Sequence, residues 1–349
     1  MQQFPCHTSK QQEPRRRAGH ATIMLLSLPL FCNLKMSTRA ILYCLCILLC
    51  VRTMVRCWEG QKLGRLYDEG LTRHRYVARV SYDGTAYRGW QQQSQPRTKT
   101  IQGTINQNLS KRLSREVRIT GAGRTDQGVH AKGQGIHFDL FDHEYLNPDS
   151  IPNFQFKLNQ MLPTDIRVYN MSLAPPGTVE QMLTGDPFHA TKSAIGKKYI
   201  YRYCTNQFVE PIHRHIYTHF YREYDYSTLP DCLQCFVGPH DFACFGNKVK
   251  QFVKDFETKP IEYDTMRTIY SIQHIDEGSG YYRIEFHIKS ALYKMIRNMV
   301  GACVSVAKGQ ITKEDIVQML VNPTQRINNP AIPVPPEGLI LEHVYYDHY

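Results

Sequence analysis

Long apolar runs are missing from the 349 residues. A helix that crosses a bilayer needs ~20 consecutive apolar residues. Residues 22–32 and 40–51 supply runs of only 11 and 12, with Lys35 and Arg39 between them. No membrane span is therefore expected, and a membrane-anchored protein is excluded. A paired cysteine framework is missing too. Six of the 11 cysteines fall at 6, 32, 44, 46, 50 and 57, which leaves Cys204, Cys232, Cys235, Cys244 and Cys303, an odd number without framework spacing. That pattern excludes a disulfide scaffold and points to a reducing compartment. A strongly charged body is also absent. The net charge of +11 is concentrated early: residues 1–75 hold 12 of the 42 Lys/Arg and 4 of the 31 Asp/Glu, leaving 30 and 27 for the remainder. Nucleic-acid binding by that remainder has to rest on local clusters, because each phosphate contact needs its own nearby Lys or Arg. Candidate clusters are Lys111, Arg112, Arg115 and Arg118, then Lys197 with Lys198, and the lysines of 248–254. Each is also readable as an ordinary solvated face.

What is present begins with a leader. Residues 1–75 join a short apolar core to a basic stretch poor in acids, as targeting segments do. They are expected to stand outside the fold and to address an organelle, plastid or mitochondrion, with cytoplasm or nucleus as the alternative. An untranslated extension is the other reading of the same residues.

The most informative stretch is residues 123–134, G-R-T-D-Q-G-V-H-A-K-G-Q. A dinucleotide loop needs G-x-G-x-x-G, and the third glycine fails because Asp126 stands there; a carboxylate would repel a pyrophosphate. An Asp on a glycine-flanked loop beside Arg124 is expected to stay ionised, since an opposite charge within ~4–6 Å lowers its pKa. A positioned, ionised carboxylate can act as nucleophile or base. The bland alternative is a surface turn with a weak Arg124–Asp126 pair. Cys232-x-x-Cys235 with His240 and Cys244 invites a zinc reading, set against cysteines packing on an amphipathic helix over 229–237. His130 and His137 make poor metal ligands. Neither a metal nor a cofactor is expected.

Periodicity predicts helices over 100–114, 154–161, 229–237, 295–307 and 313–320. It predicts strands over 76–82, 134–140, 166–173 and 198–204, and a hairpin of 268–274 with 281–288 across Glu277-Gly278-Ser279-Gly280. Strand–helix–strand units occurring twice suggest two α+β domains, 76–185 and 186–349, with a cleft between them.

The aspartate loop resembles the signature of the TruA family of tRNA pseudouridine synthases, and further blocks follow in order. Residues 82–93 read Y-D-G-T-A-Y-R-G-W-Q-Q-Q, and 100–103 read T-I-Q-G at a helix start. Residues 188–203 read F-H-A-T-K-S-A-I-G-K-K-Y-I-Y-R-Y, 238–242 G-P-H-D-F and 266–269 M-R-T-I. Residues 292–301 read L-Y-K-M-I-R-N-M-V-G, and 336–341 P-E-G-L-I-L. Departures are Gln127 for alanine, Lys197 for arginine, Ala291 for an aromatic and Asn106 for glutamate, with an unusually proline-rich 331–336. The resemblance implies two ferredoxin-like, RRM-like halves sharing one continuous, mostly antiparallel sheet with a central RNA-binding cleft. It implies an isomerase that turns uridine of tRNA into pseudouridine, most readily in the anticodon stem-loop at tRNA positions 38–40. Asp126 falls at the catalytic aspartate, Tyr199 at the active-site tyrosine and Arg297 at the arginine partner of the carboxylate. Arg124, Thr125, His130, Lys197 and Lys198 are the expected RNA contacts, and Arg124 the residue that enters the stack as the uridine leaves. A homodimer is compatible with the resemblance. A non-catalytic RNA-binding or tRNA-folding module of the same fold is the alternative, and a binder has no need of Asp126.

Overall fold

The computed structural model describes residues 65–68, 71–95, 98–220, 223–247, 264–323 and 329–347. Most of the expected leader, its apolar runs and the lysines of 248–254 lie outside these residues. Among them, no helix is long and apolar enough to cross a membrane.

Strand β1 (Arg65–Asp68) pairs antiparallel with β2 (Leu71–Tyr82), so the sheet begins eleven residues before the expected boundary at 76. Arg75 Nε and Nη2 donate to the two carboxylate oxygens of Asp139 at 2.7 and 2.8 Å, and His74 Nε2 lies 2.8 Å from Asp142. A half-buried, charge-assisted fork of this kind contributes on the order of 1.5–3 kcal/mol. A chain starting at residue 76 loses the fork, β1 and part of the β2 ladder. It is expected to melt roughly 5 °C or more below one starting at 65, since about 1 kcal/mol moves Tm by 2–4 °C at this size. Equal melting temperatures in a thermal scan would return residues 65–75 to the leader.

The first helix, α1 (Ile101–Leu113), starts where Thr100 accepts from Gly103 N with its side chain, and stops at Ser114 in the left-handed region. Its Ile101, Ile105 and Leu109, one helical turn apart, are fully buried. Strand β3 (Thr120–Gly121) leads into the aspartate loop, which returns as β4 (His130–Phe141). Then come α2 (Ile151–Met161), β5 (Ile166–Leu173) and α3 (Val179–Thr184). The chain continues through β6 (Ala194–Cys204), β7 (Thr218–His219), α4 (Leu229–Gln234) and β8 (Gly238–Asp241). The hairpin β9 (Met266–Gly278) and β10 (Tyr281–Ile288) precedes α5 (Met295–Ala307), α6 (Lys313–Val321) and β11 (Leu339–Tyr346). Helix α5 is buried nearly all round, from Met295 to Ser305, as its apolar composition requires.

Among the described residues, eleven strands join one mostly antiparallel sheet in the order β1-β2-β4-β11-β6-β10-β9-β8, with β3 on β4, β5 on β2 and β7 on β6. Strand β11 is the seam. It runs parallel to β4 and antiparallel to β6, with Leu341 opposite Ala131 on one side and Tyr199 on the other. The last strand of the chain is thus inserted between its earlier strands. The architecture is mixed α+β.

Candidate active site

Asp126 opens a four-residue turn in which Val129 N donates to the Asp126 carbonyl at 3.2 Å. Gly128 takes the third position at φ +79°, which a side chain adopts only with strain. The block 82–90 wraps this turn. Tyr82 Oη and Thr125 Oγ1 lie 2.7 Å apart, Trp90 N donates to the Thr125 carbonyl at 3.1 Å, and Gly84 N donates to His130 Nδ1 at 3.1 Å. The seam strand then sets this assembly beside Tyr199 on β6. Helix α5 closes the far side. Arg297 Nη1 donates to Asp126 Oδ2 at 3.1 Å, with the two side chains 10 % and 15 % exposed. Arg297 is itself held by residue 334: its Nε donates to the Val334 carbonyl at 2.7 Å, and Val334 N donates to its carbonyl at 3.1 Å.

A cavity of about 920 Å³ is lined by Trp90, Arg124, Thr125, Asp126, Lys197, Tyr199 and Lys294, among others. A second, of about 540 Å³, meets Asp126 from another side and brings Arg214, His215, Lys294, Arg297 and Glu337. The first is the size of a small-molecule site.

The electrostatics differ from the expectation. The guanidinium on Asp126 belongs to Arg297; Arg124 is exposed and lines the cavity mouth. Burial pushes the Asp126 carboxyl above its ordinary value, opposed by Arg297 and then by Lys294. Desolvation therefore outweighs pairing here, and the lowered pKa expected from an adjacent arginine is not found. Burial, and then the Asp126 charge, pushes the Tyr199 hydroxyl well up, so it stays protonated.

The remaining expected contacts divide. Thr125 lines the cavity but spends its hydroxyl on Tyr82. Lys197 is buried and donates to the Ala122 carbonyl at 2.9 Å, with burial pulling its ammonium down to about 8. It lines the cavity. Lys198 points to the other face of β6, as strand alternation demands, and pairs with Glu285 at 2.9 Å. His130 is buried beside Asp83, lines neither cavity and has its pKa lowered by desolvation, and it braces the loop through Gly84 N. In the basic cluster of α1, Arg115 is engaged by Glu144 and Arg112 lies over the Phe154 ring.

Sequence reading missed Lys294. It lines both cavities, acts on Asp126 and has φ +61°, unusual for a residue with a side chain and a conformation that gathers at functional sites. It was visible only as the third residue of L-Y-K-M-I-R. Cys232 packs in the core on α4, and His240 Nε2 lies 3.1 Å from the Val237 carbonyl. Among the described residues no three His, Cys, Asp or Glu side chains converge to hold a metal ion.

The profile of a family described as tRNA pseudouridine synthase matches residues 78–175 and 233–347. A protein named tRNA pseudouridine synthase A 1 from Protochlamydia amoebophila is 35 % identical over 275 residues, covering 78 % of this chain and 97 % of that protein. Proteins named tRNA pseudouridine synthase A are 33 % identical in Chlamydia trachomatis, over 77 % of this chain and 91 % of theirs, and 33 % in Listeria welshimeri, over 78 % and 99 %. With Asp126 shared by a cavity that Tyr199 also lines and a second that its arginine partner lines, and with the match running through both halves of the chain, this protein belongs to the tRNA pseudouridine synthase A family.

Proposed function

We propose that the protein is a tRNA pseudouridine synthase that isomerises uridine in the anticodon stem-loop, at tRNA positions 38–40, with Asp126 as the reacting carboxylate. The observation that carries this reading is Asp126, paired with Arg297 at 3.1 Å and lining a cavity that Tyr199 also lines. A protein that only binds RNA has no use for a carboxylate facing an anionic ligand, nor for the cost of burying it. Breaking and remaking a glycosidic bond needs such a group. Arg297 holds the carboxylate and favours its ionised form, while Lys294 adds a second positive charge. Tyr199, protonated and buried, offers a ring face for the flipped uracil. Unstacking costs a few kcal/mol, offset by stacking and hydrogen bonds in the pocket. Arg124, exposed and lining the cavity, fills the gap left in the RNA stack in this reading.

Two ferredoxin-like halves meeting at β11 are the finer description of the fold that this function favours. The basic, acid-poor leader supports an organellar home, plastid or mitochondrion. A homodimer is the assembly to test by light scattering.

Unmodified tRNA transcripts incubated with the protein, then mapped by carbodiimide-blocked primer extension, are expected to give new stops at positions 38–40. Stops in another arm would keep the chemistry and reject the anticodon assignment. No stops with tRNA still bound would favour the binding module.

A further inference from the structure

The seat of Lys197 is unusual for a lysine. The residue is only 8 % exposed, and among the described residues its one hydrogen-bond partner is the Ala122 carbonyl and no carboxylate lies within ion-pair distance. A buried, unpaired ammonium is costly. An ammonium so placed at a cavity wall is positioned to meet charge or a carbonyl oxygen on a bound substrate.

We propose that Lys197 is a catalytic residue whose ammonium donates to a carbonyl oxygen of the uracil ring and carries the negative charge that develops there as the base leaves its ribose. This rests on the pseudouridine synthase reading above.

Three features place it. Lys197 and Tyr199 are alternate residues of β6, so they share a face about 6.6 Å apart along the strand, close to the breadth of a nucleobase. Both line the cavity that holds Asp126. Gly123, at the start of the aspartate loop, leaves the ammonium room: a Cβ there would lie 2.7 Å from Lys197 Nζ. The lysine therefore sits against the loop that delivers the carboxylate, with two N–H groups left to donate.

The chemistry asks for a cation in this place by either route. If an Asp126 oxygen takes C1′, the C1′–N1 bond breaks and its electron pair leaves on the base, spread over N1, O2 and O4. After the base turns, C5 attacks C1′, the C1′–O bond returns its pair to Asp126, C5 gives up its proton and N1 gains one. If the carboxylate instead adds to C6 of the ring, the displaced pair moves through C5 to O4. Each route puts negative charge on ring carbonyl oxygens. A fixed donor in a water-poor site stabilises such charge strongly, and removing one typically costs about 10²–10³ in rate. That Lys197 remains largely protonated near neutrality, its pKa being about 8, fits the role.

Single-turnover rates at saturating tRNA, with tRNA Kd and Tm measured in parallel, test this on wild type, Asp126→Ala and three Lys197 variants. Lys197→Met is expected to lose about 10²–10³-fold in rate with Kd within about threefold. Lys197→Gln, neutral but able to reach the Ala122 carbonyl, is expected to lose as much, and Lys197→Arg to stay within about tenfold of wild type. If the Met variant does not fold, Gln and Arg carry the comparison. Wild-type rate in Lys197→Gln would make the lysine a structural tether and overturn the proposal. A loss confined to Kd would make it a phosphate contact and overturn it equally, as would an Arg variant as slow as Gln. Inactive wild type would instead reject the enzyme reading itself.

Discussion

Asp126→Ala is expected to lower the single-turnover rate of pseudouridine formation by at least about 10⁴-fold, about 5.4 kcal/mol of barrier, while tRNA remains bound. Among the described residues Asp126 is the one acidic side chain lining the larger cavity and is shared with the smaller, where only Glu337 joins it. Glu337 Oε1 accepts from Thr218 Oγ1 at 3.3 Å, and Asp126 alone faces a guanidinium. Asp126→Asn isolates the charge, because the amide oxygen can still accept from Arg297. It is expected to be as inactive as alanine. Its stability should move the other way. Burial raises the carboxyl's pKa in the folded state, so the fold binds that proton more tightly than the unfolded chain does. The group then costs stability once pH rises past its unfolded value. Asn removes that cost and should melt at or above wild type at neutral pH, the trade expected at an active site. Activity in Asp126→Asn together with its loss in Glu337→Gln would move the reacting carboxylate to Glu337.

Much of this was legible in the residues, but unevenly. Local signals survive translation into structure: the apolar spacing of 101, 105 and 109 gives α1, the alternation of 166–173 gives β5, and the 13 apolar-rich residues of 295–307 give α5. What failed was long-range. Residues 71–75 read as basic leader because the ladder to β4 and the fork to Asp139 involve partners more than sixty positions away. Strand β11 carries no sign in its own eight residues that it will divide β4 from β6. The site shows the same split. Asp126 stands out by type and by its glycines, whereas its pairing with Arg297 spans 171 positions and was reachable only through resemblance. Local reasoning assigned the role to Arg124 because adjacency along the chain is all that a sequence displays. Lys197 and Lys198 are chemically identical neighbours, and only the phase of β6 separates a buried cavity ammonium from an ordinary surface ion pair. The direction of Asp126's pKa was misread for the same reason, since desolvation is a property of the assembled fold.

Arg297→Met is the second large effect, and pH is the variable that identifies it. The wild-type carboxyl is caught between burial, which raises its pKa, and the guanidinium at 3.1 Å, which lowers it, with Lys294 assisting. Removing Arg297 leaves burial dominant, and a carboxylate so placed takes up a proton in preference to remaining a buried unpaired charge. The reactive form exists above the pKa, so raising the pKa moves the acid limb of the pH–rate profile to higher pH. At pH 7 the rate is expected to fall by about 10²-fold or more, with partial recovery as pH rises. Asp126→Ala shows no such recovery. Methionine matches much of the arginine stem's volume, so packing on α5 should largely persist, although the bond to the Val334 carbonyl is lost with the guanidinium. Lys294→Met should shift the same limb in the same direction and by less, because its charge acts without a direct hydrogen bond to the carboxylate. A rate that drops equally at every pH in Arg297→Met would mean that the arginine only shapes the loop through residue 334. A displaced limb would mean that it sets the charge state of Asp126.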